Sequence, residues 1–222
     1  MASQLDLQEQ EQLDALKSFW KRYGNALTWA LTLVLSAYAA WNGWNYYQAQ
    51  QSTKASFLYD ELERSAQGTD TDKIERVFND LRERYGSTAF AKQGALLAAK
   101  ALVDRSQGDK AAVPLQWLID KAGDDPMAGL ARLRLSALHL DAGRHEQALS
   151  VLAPLKGGDW QALAADRRGD VLLSQGKKAE AAAAFKEAWD QLPEAVEYRR
   201  LVEAKLIFLG AAPKPASPGT SS

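Results

Sequence analysis

The sequence predicts an all-α protein in which one N-terminal transmembrane helix precedes a solenoid of antiparallel helix pairs. Three observations lead to this fold class. Residues 26–47 contain no charged side chain. The chain that follows is rich in alanine, leucine, glutamine, lysine and glutamate, a composition typical of helices. Within it, a helix–turn–helix pattern recurs about every 34 residues, as in stacked helical repeats.

The charge-free stretch 26–47 is predicted to be an uncleaved transmembrane signal anchor. As a helix it would be roughly 33 Å long, enough to cross a bilayer core of about 30 Å. Aromatic side chains stand near both ends, where they would lie among lipid headgroups. This predicted membrane belt, whose partner is membrane lipid, consists of Trp20, Trp29, Trp41, Trp44, Tyr46 and Tyr47.

Two other interpretations of this stretch fit less well. A buried helix of a soluble core would need cover around its whole circumference, and no other part of the chain could supply it. A cleavable secretory signal would be cut near Ala37 and Ala39, which have the small-x-small form that a signal peptidase reads. Four acidic residues precede the apolar run, however, whereas the start of a secretory signal is short and basic.

The flanking cations predict the orientation of the anchor. Lys17, Lys21 and Arg22 precede the span, whereas only Lys54 follows it closely. The positive-inside rule then makes 1–25 a cytoplasmic segment and places everything after about residue 48 on the other side of the membrane.

The overall composition excludes several functional classes. Lys and Arg together number 27 and Asp and Glu 28, so no excess of positive charge indicates nucleic-acid binding. The chain has no cysteine, which excludes disulfides, thiolate zinc sites and cysteine nucleophiles.

Residues 48–210 are predicted to form a tetratricopeptide-like helical repeat domain, with nine short helices between residues 53 and 209. The turn glycines Gly108, Gly143 and Gly176 stand 35 and 33 residues apart, close to the tetratricopeptide period. This alignment places Val113 in one packing column with Ala148 and Ala181. The predicted repeat-packing residues are Trp117, Ala148, Leu152, Gly169, Ala181 and Phe185. The last segment, 211–222, is rich in proline and serine and is predicted to be a disordered tail.

No arrangement of residues predicts catalysis, a cofactor or a metal site, so we expect a protein that is not an enzyme. His139 and His145 lie on either side of the turn glycine Gly143, which makes solvated turn residues a better interpretation than metal ligands.

The first helix of each pair should line the concave face of the solenoid, and we expect a partner groove there. The alternative is that capping helices cover this face and turn it into core. The predicted groove residues are Leu102, Arg105, Leu133, Leu140, Asp141, Asp166, Asp170 and Leu173.

Several features together resemble the YfgM family of ancillary subunits of the bacterial SecYEG translocon. They are SFWKRYGNAL before the anchor, WNYY at its end, and Trp160 followed by ADRRGD at 165–170. The resemblance covers nearly the whole chain except the proline- and serine-rich tail. It implies a bacterial inner-membrane protein whose repeat domain lies in the periplasm. The implied partners are SecYEG, a PpiD-type periplasmic chaperone and exported polypeptides, and the family has no catalytic residues to transfer.

Three hypotheses follow from these observations. The first is a non-enzymatic scaffold that links the Sec translocon to periplasmic chaperones and assists the transfer of exported polypeptides. The second is a membrane-tethered tetratricopeptide adaptor in envelope assembly or stress regulation, which differs from the first only in its partner. The third is an enzyme with a helical active site, which would need a pocket of convergent polar groups.

Overall fold

The computed structural model describes residues 7–123 and 126–213, with side chains from residue 11 onward. All secondary structure in these ranges is helical, which confirms the predicted all-α class. The chain divides into two compact units between Thr53 and Lys54. The helices are α1 (Leu7–Gln67), α2 (Thr71–Tyr85), α3 (Ala89–Val103), α4 (Gly108–Ala122), α5 (Pro126–Asp141), α6 (His145–Leu152), α7 (Gln161–Ser174), α8 (Lys178–Gln191) and α9 (Tyr198–Phe208). A short 3-10 turn, Gly158–Trp160, precedes α7. The predicted tail lies outside the described residues from residue 214 onward.

The first unit contains the part of α1 that ends at Thr53. Large apolar side chains stand exposed along this helix, and the six belt residues are 52–72% exposed. Thr28 and Thr32 donate their hydroxyl hydrogen bonds to backbone carbonyls of the same helix, each at 2.8 Å. Within the described residues, no helix combines the length and the apolar character that crossing a membrane requires. The predicted span at 26–47 is therefore not confirmed.

The second unit is built from helix pairs. The first helix of successive pairs is the end of α1 (from Lys54), then α3, α5 and α7. The last three each pack against the helix that follows, and the end of α1 shares one buried core with α2, α3 and α4. Helix α9 comes after the last complete pair and packs against α8. The nine helices predicted between residues 53 and 209 are all present, the first of them as the continuation of α1.

Local capping explains where several of these helices begin. The Asp70 carboxylate accepts the backbone N–H of Lys73 at 3.0 Å at the start of α2. The Thr88 hydroxyl accepts the N–H of Ala91 at 3.3 Å at the start of α3. Each bond satisfies a backbone donor that the first turn of a helix leaves without an intrahelical partner, so the boundaries follow from local chemistry.

The turns after α3, α5 and α7 share one pattern, which corrects the repeat register. Ser106, Gly143 and Gly176 have positive φ angles of 58°, 70° and 77°. The N–H that follows each of them donates to a carbonyl five residues earlier, at 2.9, 2.7 and 3.0 Å. Gly108 is not a turn glycine but the first residue of α4, so the first copy is shifted by two residues. The observed packing columns, at most 3% exposed, are Ala111–Ala148–Ala181 and Leu115–Leu152–Phe185. Val113, by contrast, is 52% exposed.

Glycines allow two close approaches in the second unit. The buried Phe185 ring lies over Gly169, where an added Cβ would come within 2.4 Å of it. The Trp160 ring lies over Gly129, where a Cβ would come within 2.2 Å. Both glycines belong to the first helix of a pair, so the large aromatic side chain packs directly against that helix's backbone.

Candidate functional site

An apolar groove lies between α3 and α5, the first helices of two successive pairs. Ala99 and Val103 line it from α3, Ala137 and Leu138 line it from α5, and Leu115 lies beneath them on α4. The cavity has a volume of about 290 Å³. Val103 is 43% exposed although it is a large aliphatic residue. Because Val103 is exposed and Ala137 and Leu138 are partly exposed, the groove can gain free energy when a partner covers these side chains with its own apolar groups.

Three charged residues border the groove, and they differ in whether they already have a partner. Lys100 forms an ion pair with Asp104 at 2.6 Å on the same helix. Arg134 and Asp141, both exposed, form no ion pair with any described residue. They are seven residues apart on α5, which is two helical turns or about 10.5 Å. The groove therefore has an unpaired positive charge at one level and an unpaired negative charge at another.

A polar cluster lies just beyond the Asp141 end of the groove. The Arg144 guanidinium pairs with the Asp109 carboxylate at 2.8 Å and donates to Nδ1 of His139 at 3.2 Å. Burial, together with the positive charge of Arg144, lowers the pKa of His139 and keeps its ring neutral near pH 7. In the part of the chain that the structure describes, no three histidine or carboxylate side chains are grouped to hold a metal ion.

Helix α9 covers the corresponding face of α7. The Asp166 carboxylate, 1% exposed, accepts hydrogen bonds from the Tyr198 hydroxyl at 2.6 Å and from the Lys205 ammonium at 2.8 and 3.0 Å. The same ammonium pairs with the Asp170 carboxylate at 2.7 Å. A buried ionic cluster therefore occupies the place where the sequence suggested an open surface.

Because of the tyrosine in this cluster, the stability of the fold decreases at alkaline pH. The pKa of Tyr198 is raised well above its ordinary value of 10.0. Burial is the largest cause of this rise, and the hydrogen bond to Asp166 is the next. As the pH rises, the unfolded chain releases this proton before the folded chain does. The stability that Tyr198 contributes is therefore complete below about pH 10 and is lost as the pH rises through the folded-state pKa.

We expect Tyr198→Phe to flatten the decline of stability above pH 10. In the wild type, the tyrosine should contribute a loss of up to about 1.4 kcal/mol per pH unit, which the phenylalanine variant cannot show. Urea unfolding of the full chain from about pH 9 to about pH 12 measures the two slopes. Tyr85→Phe, at another partly buried tyrosine, is the matched control for the loss of one phenolic hydroxyl. Equal slopes for Tyr198→Phe and wild type would contradict this assignment.

The structure places the eight predicted groove residues in several different environments. Asp141 lines the groove. Leu102 is 1% exposed and belongs to the core, and its neighbour Val103 lines the groove instead, because one residue turns a helix by about 100°. Asp166 and Asp170 lie in the cluster beneath α9, and Leu173 packs partly buried beside the adjoining core. Leu133 and Leu140 are partly buried and do not line this groove.

Arg105, the remaining predicted groove residue, serves as a clamp within the second unit. Its guanidinium donates to the backbone carbonyls of Ala101, Ala66 and Gly68. It thereby joins the end of α3 to the end of α1 and is not available to line the groove. Its partners Ala66 and Gly68 are more than 35 residues away in sequence, so helical spacing alone could not reveal this role.

The predicted repeat-packing residues all lie in the second unit. Ala148, Leu152, Ala181 and Phe185 are at most 3% exposed, and Gly169 lies beneath the Phe185 ring. Trp117 is partly buried and packs edge-to-face on Phe78, with ring centroids 5.6 Å apart. Arg134 and Val103 were not predicted as groove residues. The i, i+4 spacing of Ala99 and Val103 was the signal available for one groove wall.

Comparison with known proteins gives consistent matches over most of the chain. The family model described as "Tetratricopeptide repeat-like domain" matches residues 17–211. The chain is 30% identical over 180 residues to the protein named "Ancillary SecYEG translocon subunit" of Escherichia coli strain K12, covering 80% of this chain and 85% of that relative. Proteins of the same name from Neisseria gonorrhoeae and Haemophilus influenzae are each 28% identical. These alignments cover 91% and 82% of this chain and 98% and 89% of the relatives.

Proposed function

Because this chain belongs to the tetratricopeptide repeat-like family of ancillary SecYEG translocon subunits, we propose that it is a non-enzymatic scaffold associated with the Sec translocon. The observation that carries the proposal is the shared name of relatives that align over 85–98% of their own lengths. Such coverage means that these relatives share with this chain both the part that precedes the repeats and the repeats themselves. The similarity is therefore not confined to a repeat module.

Membrane attachment through α1 is the second part of the proposal. The uncharged stretch 26–47 exposes leucines and aromatic side chains on all sides, and Thr28 and Thr32 satisfy their hydroxyl groups within the helix. Lipid is a suitable solvent for such a surface, and the cations before it favour a cytoplasmic N-terminus. We therefore propose an inner-membrane location with residues 48–210 in the periplasm.

The repeat unit would provide the binding surface for partners. We propose that it links the translocon to a PpiD-type periplasmic chaperone and assists the transfer of exported polypeptides. The open groove between α3 and α5 supports a binding role, because it offers the exposed Val103 and, on α5, two charges without an ion-pair partner among the described residues.

Affinity purification tests the association with the translocon. The tagged full chain is purified from bacterial membranes in mild detergent, and SecY is measured by immunoblot in the eluate. We expect SecY to be enriched over an unrelated single-pass membrane protein carrying the same tag. Consistent absence of SecY at matched protein levels would overturn the proposal.

Reporter fusions and alkaline extraction test the location. A reporter active only in the periplasm is fused after Gly210, and a second fusion carries one active only in the cytoplasm. We expect periplasmic activity and retention in the carbonate-washed membrane fraction. Leu33→Arg should weaken retention, whereas Leu13→Arg, outside the uncharged stretch, should not. Cytoplasmic reporter activity would refute the orientation, and release of the wild type by carbonate would refute the anchor.

A further inference from the structure

The charges beside the α3–α5 groove specify the kind of segment that it can hold. We propose that the groove binds a short amphipathic helix of a partner protein, with aliphatic side chains inward and two opposite charges about two turns apart. One ligand carboxylate would face Arg134 and one ligand ammonium would face Asp141. The inference rests on the proposed scaffold function and adds the chemistry of the segment that the scaffold recognises.

Val103 provides the main exposed apolar surface of the groove. This side chain is 43% exposed, next to Ala137 and Leu138 of α5. The floor of the groove is closed by Leu115, which is 1% exposed, so a ligand side chain would contact chiefly Val103 on one side and Ala137 and Leu138 on the other. A cavity of about 290 Å³ accommodates a few aliphatic side chains, which one face of a two-turn helix presents at i, i+3 and i+4.

Arg134 and Asp141 provide the charges of the groove, because neither has an ion-pair partner among the described residues. Lys100, at the same rim, already pairs with Asp104 at 2.6 Å, so its charge is largely compensated. The guanidinium of Arg134 makes only a long 3.5 Å contact to the Leu96 carbonyl. A ligand helix that lies along α5 has the same rise per residue as α5. Two ligand charges seven residues apart are therefore separated by the same distance along the helix as Arg134 and Asp141.

Neighbouring contacts confine the complementary charges to the α3–α5 groove. Helix α9 covers the face of α7 through the buried cluster of Asp166, Tyr198 and Lys205. At the Asp141 end, Arg144 and Asp109 are paired with each other, so Asp141 is the one charge there without an ion-pair partner among the described residues. The complementary charges are therefore confined to one two-turn stretch of α5.

Three synthetic peptides test the proposal on the full chain in mild detergent. Each is a stapled, fluorescein-labelled helix with two central leucines and charges seven residues apart, namely Glu/Lys, Glu/Glu or Lys/Lys. The Glu/Lys peptide can bind parallel or antiparallel to α5, and one of these directions places Glu beside Arg134 and Lys beside Asp141. The comparison therefore does not depend on the direction in which the peptide binds. By fluorescence anisotropy at low salt, we expect the wild type to bind Glu/Lys about five-fold more tightly than either like-charged peptide.

Variants of the rim should reorder these affinities. Asp141→Lys should prefer Glu/Glu, and Arg134→Glu should prefer Lys/Lys, because each substitution makes the two rim charges equal in sign. Val103→Glu should weaken binding of the mixed peptide about ten-fold, since it places a charge in the apolar groove. Val113→Glu is the matched control at an exposed valine outside the groove and should leave binding unchanged.

The outcomes separate this inference from the proposed function. Equal affinity for the three peptides, or a ranking that the rim variants leave unchanged, would overturn the inference even if SecY co-purifies with the chain. A ranking that inverts as expected supports the groove assignment, whether or not SecY co-purifies. Absence of SecY from the purified wild type would then count against the translocon proposal alone.

Discussion

Replacing Lys205 with methionine should destabilise the repeat unit by about 3–5 kcal/mol. The substitution keeps an unbranched side chain one atom shorter but removes the ammonium that pairs with Asp166 at 2.8 Å and with Asp170 at 2.7 Å. Asp166 is 1% exposed, so its carboxylate would remain buried with only the Tyr198 hydroxyl as a donor. Urea unfolding of the full chain, followed by circular dichroism, measures the change in the free energy of unfolding.

Two further variants make this result specific to the buried cluster. Lys186→Met breaks an exposed ion pair with Asp190 at 2.7 Å, and its cost should stay within about 1 kcal/mol. Adding Asp166→Asn to Lys205→Met should recover much of the loss, because a neutral amide still accepts the Tyr198 hydrogen bond. A Lys205→Met variant as stable as Lys186→Met would show that the cluster does not hold α9 in place.

Phe185→Ala should cost about 3–5 kcal/mol, because it removes the largest fully buried side chain of the described residues. The ring lies directly over Gly169, so the vacated space lies between α7 and α8 and is hard to refill. The same urea unfolding measures the loss. A cost below about 1 kcal/mol would mean that the two helices close together without the ring.

The chain provides a matched control for this substitution. Phe208→Ala makes the same chemical change at a side chain that is 78% exposed near the end of α9. Its effect on the free energy of unfolding should be within about 0.5 kcal/mol. Similar losses for both variants would indicate that the effect comes from a general loss of apolar surface, and not from the Phe185–Gly169 contact.

The helices and their pairing could be predicted because their signals are local. Caps such as Asp70, left-handed glycines such as Gly143 and Gly176, and the apolar periodicity each act within a few residues. The alignment failed at Gly108 for a related reason. The left-handed position after α3 belongs to Ser106, and a serine seldom adopts that conformation, so no sequence rule would select it over a nearby glycine.

The surface of the solenoid depended on contacts between residues distant in sequence. Asp166 and Asp170 are charged residues on the first helix of a pair and were expected to face a partner. They are instead covered because Lys205 lies 39 and 35 residues later on α9 and neutralises them there. Arg105 is likewise held by the carbonyls of Ala66 and Gly68. In both cases the partner is brought near only by the packing of another helix.

The sequence alone was therefore enough for the all-α class, the helix pairs and the family, because hydrophobic periodicity and turn chemistry are properties of short segments. It was not enough to tell Leu102 from Val103, since a rotation of about 100° along one helix separates core from groove. Which face stays open was settled by where α9 packs. That packing depends on the burial of charges whose partners are far apart in the chain.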